Sequence, residues 1–151
     1  MLNALAVITA TVTGVMVGVE FAVAVFVGPM LRRLPFGPSI EASADGARVL
    51  GRVMPFWYIT ALVLTAGLAA ATWGHPAAAG AAIAAAALLI VSVVMSLTLL
   101  VPIANRNATW TPDDHPDDWR EQQQRWDRLH YARVAIIIAA FVLTLVAATA
   151  S

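Results

Sequence analysis

Glu20 is the one acidic residue within the four long apolar stretches of this chain, about nine residues and ~13 Å of helix before Pro29. An ionised carboxylate at that depth costs at least ~2.5 kcal/mol, so it is expected to be protonated, paired with an arginine or turned to a wet cavity. The structural alternative is a neutral acid that ties two helices together by a hydrogen bond. On the C-terminal segment, Trp119, Gln123, Trp126, His130 and Arg133 fall within roughly 80° of one another at ~100° per residue, and Ile137, Phe141 and Thr144 continue that face. Two indoles, an imidazole and a guanidinium on one stripe make a candidate binding surface. The alternative is that Trp119 and Trp126 pack against the neighbouring loop while Arg133 snorkels to the interface.

Two further groups stand near these residues. Pro102 is expected to disturb the end of its helix and free backbone carbonyls, which sets Asn105, Arg106 and Asn107 at the mouth of the helices; a plain loop explains them as well. Phe56, Trp57 and Tyr58 form an interfacial aromatic belt, and Tyr58, Thr65 and Thr72 recur every seven residues as a weakly polar stripe.

The elements that must position these groups are membrane helices. Of 151 residues, 60% are hydrophobic and the mean hydropathy is +0.78, well above a soluble domain. Four stretches, approximately 4–27, 54–73, 77–101 and 131–150, reach the ~20 apolar residues needed to cross a bilayer. The first lacks a basic lead-in and contains Glu20, so it reads as a retained span and not a secretory signal. Loop helices are expected over 39–53, capped by Ser39, and over 116–130, capped by Asp114 or His115 with Pro116 in the first turn. Pro55 should kink or restart the second span. No breaker follows Pro116, so the fourth helix should rise well above the membrane. The expected fold is an all-α, integral membrane four-helix bundle in a single domain.

All nine basic residues are arginines, confined to Arg32–Arg52 and Arg106–Arg133, and the turn at Gly74–Pro76 has none. Both arginine-bearing connections therefore share one side, which the positive-inside rule makes cytoplasmic, with both termini outside and the plasma membrane as the expected location. Around the rest of the fourth helix, Arg120, Gln124, Asp127 and Arg128 should face solvent. On the first span, Thr9, Thr13, Met16, Glu20 and Ala24 form one face, and Gly14 and Gly18 lie on the opposite one. That GxxxG pair permits close approach to another span or, in a homo-oligomer, to another protomer.

The absences narrow the chemistry. With no cysteine and no lysine there is no thiol relay, thiolate-bound metal or lysine Schiff base. A net charge of zero argues against nucleic acid, while the arginine side favours anionic membrane lipid. A metal or haem normally needs several converging ligands, and only Glu20 and His130 lie deep, so no cofactor is expected, with a metal or haem as the alternative left open.

The segments VGVEFAVAVFVGP with LRRLP, VMPFWY, and VPIANRNATW followed by DDWREQQQRWDRLHYAR resemble the anthrone oxygenase family of small four-span membrane proteins. The most specific part is Pro102 and Asn105 followed by the Trp-rich helix that ends in Arg133. The resemblance implies oxidation of an anthrone-type aromatic polyketide or related phenolic substrate by dioxygen. The resemblance brings no set of catalytic residues with it; matched to that chemistry by their clustering, His130 suits the part of base, Arg133 that of enolate stabiliser, and Glu20 that of cation partner or proton relay. Trp119 and Trp126 would stack on a hydrophobic aromatic small molecule, with Asn105, Arg106 and Tyr58 completing its binding. A non-enzymatic scaffold that binds lipid or a partner membrane protein is the other reading.

Overall fold

A computed structural model describes residues 2–150. Four helices, α1 (Leu2–Arg32), α2 (Phe36–Ala71), α3 (Pro76–Asn107) and α4 (Trp119–Thr149), are each long and apolar enough to cross a membrane, and no strand occurs among the described residues. The chain is a multi-pass, all-helical membrane protein. α1 packs against α2 and α4, and α3 packs against the same two helices. Outward-facing side chains such as Val7, Phe26, Phe56, Val63 and Leu97 are apolar, as a lipid solvent requires.

At the end holding the α2–α3 turn the interior is closed by small residues. Ala6, Leu68, Ala69, Ala82 and Ala147 form one cluster. The hydroxyls of Thr9, Thr65, Thr72 and Thr144 donate to carbonyls one turn back in their own helices, so they are buried without needing a partner across the interface. A middle layer follows, with Met16, Val17, Leu89, Ile137 and Ala140 at its centre.

Beyond that layer two helices leave α geometry. Val23–Val27 in α1 and Ser96–Leu100 in α3 are π turns, and each lies just ahead of a proline, Pro29 and Pro102. The cause is shared: a proline ring clashes with the carbonyl four residues back, and widening the preceding turn relieves it. The Gly28 N–H bonds the Val23 carbonyl and the Val101 N–H bonds that of Ser96, five residues back in both cases. Pro102 therefore disturbs the helix, as expected, without ending it, and α3 continues past the expected limit of 101 to Asn107.

α2 likewise runs unbroken through Pro55, with no separate loop helix. Met54 and Tyr58 are buried on either side of that proline, and their packing holds the helix across the lost hydrogen bond. Ser39 is not its cap; it lies inside the first turn, its N–H bonded to the Pro35 carbonyl at 3.0 Å. α4 begins at Trp119, after turns at Thr111–Asp114 and Pro116–Trp119, and its 31 residues span about 46 Å against a hydrocarbon core of ~30 Å.

Candidate active site

Glu20 is buried on α1 among groups from the three other helices. Its Oε2 accepts from Arg133 Nη2 at 2.6 Å and its Oε1 accepts from the Tyr58 hydroxyl at 3.2 Å. His130 Nε2 lies 3.2 Å from the Glu20 backbone carbonyl, and Nδ1 lies 3.0 Å from Arg133 Nη2. A carbonyl only accepts and a guanidinium only donates, so this network assigns a neutral imidazole protonated on Nε2, with its Nδ1 lone pair turned to Arg133. One guanidinium nitrogen thus serves both the carboxylate and the imidazole. Its other terminal nitrogen, Nη1, donates to Ser96 Oγ at 2.9 Å, and that hydroxyl donates to the Ser92 carbonyl at 2.7 Å. The Arg133 guanidinium carbon sits 5.4 Å from the centre of the Tyr58 ring.

Breaking such a pair by removing one partner strands a charge that the other no longer offsets. Further contacts order the site, both within α4 and between helices. Trp126 stacks on His130, with centroids 4.6 Å apart and planes 15° from parallel. The Tyr131 hydroxyl donates to the Ala24 carbonyl at 2.6 Å, an acceptor released because Gly28, in the π turn, bonds Val23 instead.

A cavity of about 270 Å³ opens above this cluster, near the lower end of ligand-pocket volumes. Its wall is mostly aliphatic, with Glu20, Tyr58, Ser96, His130 and Arg133 at one end and Asn107, Gln123 and Asp127 at the other. Ile59 of α2 and Leu97 of α3 line it and are also 57% and 63% exposed on the outer surface. The cavity is therefore open sideways between α2 and α3.

The residues singled out in the sequence divide into two groups. Glu20, Tyr58, Trp126, His130 and Arg133 converge on the cavity. Asn105, Arg106 and Trp119 do not. Asn105 and Arg106 are exposed on the outside of α3, and Asn107, two residues further along the helix, takes the inward place. Trp119 packs on Phe36 at 5.5 Å and under Arg120 at 5.1 Å, beside a smaller hollow of about 200 Å³ near the arginine-rich end. Asp127 was expected on the outer face, but it is largely covered, lines the cavity and pairs with Arg32. A Cβ added at Gly14 would meet the Phe141 ring at 3.0 Å, whereas one added at Gly18 would meet nothing within 4 Å. Ser96, one turn beyond Ser92 on α3, is a further member of the cluster. Among the described residues no three or more His, Cys, Asp or Glu side chains form a group able to hold a metal.

Fold and site together define a polytopic membrane protein with an internal ion pair facing a laterally open, largely apolar cavity. The chain belongs to the anthrone oxygenase family, which it matches over residues 47–143. That stretch holds Tyr58, Ser96, Asn107, Trp126, His130 and Arg133; Glu20 lies outside it. No curated protein and no solved structure matches the chain.

Proposed function

We propose that the protein is a membrane-embedded oxygenase that converts an anthrone-type phenolic aromatic to the corresponding quinone, with dioxygen as the oxidant and no cofactor. The observation that carries this reading is the shared guanidinium, because Arg133 holds the only lone pair of His130 that could take a proton. When a phenolic enol enters, its oxygen competes for Arg133. A guanidinium drawn to that oxygen stabilises the enolate and frees Nδ1 to accept the enol proton. The resulting imidazolium is held by Glu20 from two sides, by Oε2 at 3.4 Å from Nδ1 and by the backbone carbonyl at Nε2.

The electron-rich ring carbon opposite the enolate oxygen then bonds dioxygen and the peroxide takes back the proton. Loss of water breaks the O–O bond and leaves a carbonyl. The sum is a ring CH₂ and O₂ giving a ring C=O and H₂O, so no external reductant is needed. The aliphatic wall and Trp126 suit a flat apolar substrate, and the opening between α2 and α3 would admit it from the lipid phase. By the positive-inside rule the arginine-rich end faces the cytoplasm of a plasma-membrane protein.

Purified protein supplied with a hydroxylated anthrone is expected to consume one O₂ per quinone formed. His130→Ala and Arg133→Ala proteins that keep their fold should fall to the uncatalysed rate. Parental turnover in either variant would overturn the proposal.

A further inference from the structure

The end of the cavity away from the ion pair holds two pairs of polar side chains. Arg32 pairs with Asp127, one turn along α4 from Gln123. Gln123 Oε1 accepts from Asn107 Nδ2 at 3.2 Å. Asn107 is thereby left with its oxygen, and not its nitrogen, unspent: Oδ1 is buried with no partner, in a residue only 4% exposed that lines the cavity. Unsatisfied buried acceptors are uncommon and costly, and they point to a partner that arrives with a ligand.

Resting on the function proposed above, we propose that Asn107 Oδ1 is a specificity contact that accepts the proton of a phenolic hydroxyl at the far end of the bound aromatic. Gln123 and His130 are separated by seven residues of α4, so the two polar ends of the cavity lie about 10 Å apart. That spacing calls for a fused-ring molecule with its enolisable oxygen at one end and a hydroxyl on an outer ring at the other. A hydroxyl adjacent to the ring carbonyl spends its proton on that carbonyl, so the recognised one is remote from it.

The test is equilibrium binding of 2-hydroxyanthraquinone and 2-methoxyanthraquinone to the purified protein, at mildly acidic pH where the phenol keeps its proton. The wild type is expected to prefer the hydroxyl compound roughly tenfold, the scale of one buried hydrogen bond. Asn107→Leu should reduce that preference to about twofold or less. Gln123→Leu leaves Asn107 in place but lets its amide turn, so it should weaken the preference by raising affinity for the methoxy compound. An equal preference in wild type and Asn107→Leu overturns this inference while leaving the oxygenase reading intact. Failure of the wild type to bind either quinone overturns both.

Discussion

The same four helices build a closed end and an open end, and the difference lies in how each handles polar groups and backbone. Around Ala82 and Ala147 the side chains are small, the threonine hydroxyls bond within their own helices, and no group needs a neighbour's charge. Around Glu20 and Arg133 charged and polar groups bond across to other helices, and two proline-linked π turns reshape the walls. The closed end can be dense because it asks nothing specific of its partners. The open end is held apart by a network that fails as a unit.

The largest effect should come from removing one member of the ion pair. Arg133→Ala leaves the Glu20 carboxylate buried without its cation, and a loss of about 3–5 kcal/mol is expected in unfolding measured in detergent. The double variant Glu20→Gln, Arg133→Gln should recover much of that stability while remaining inactive, because neither a cation nor a carboxylate is left. If Arg133→Ala unfolds like the wild type, the contrast between the two ends is wrong.

A leucine scan sharpens it. Ala82→Leu overfills the dense end and should cost about 1–3 kcal/mol with little change in ligand affinity. Ala104→Leu, on the cavity wall, should leave stability nearly unchanged and weaken quinone binding several-fold. Equal destabilisation by both would mean that the open end is as tightly packed as the closed one.

Pro102→Ala removes the clash that maintains the π turn of α3. Modest stabilisation is expected, since alanine is the better helix former, together with a several-fold drop in turnover as the turn relaxes toward α geometry. Unfolding temperature and anthrone oxidation, measured on the same preparation, decide this. The smallest effect should be that of Arg32→Ala: its pair with Asp127 is partly exposed, so stability should change by only ~0–1 kcal/mol, detectable by its decline with added salt.

How much of this was legible in the sequence depended on whether a charge was at stake. Glu20, His130 and Arg133 could be placed together because charged groups inside spans must find partners, and the seven-residue recurrence of Tyr58, Thr65 and Thr72 turned a buried face. Asn107 was not distinguished from Asn105 and Arg106 because Pro102 was expected to disturb the helix there. Once the helix is allowed to continue, Leu100, Ala104 and Asn107 follow helical spacing on one side, and Asn105 falls on the other. Asp127 was assigned to solvent by helical angle alone, which took no account of α1 approaching at Gly28, where an added Cβ would lie 3.9 Å from the Asp127 carboxylate. Trp119 shares its angular face with Trp126 but stands about 10 Å higher along the helix, at the level of Phe36 and above the cavity.

The most direct test of the central claim is to locate a bound ring. Crystals of the protein grown with 2-bromoanthraquinone, measured at the bromine absorption edge, should show one anomalous peak inside the cavity between the Trp126–Tyr58 region and Asn107. A peak confined to the lipid-facing surface, or none at saturating ligand, would contradict the assignment of that cavity as the working site.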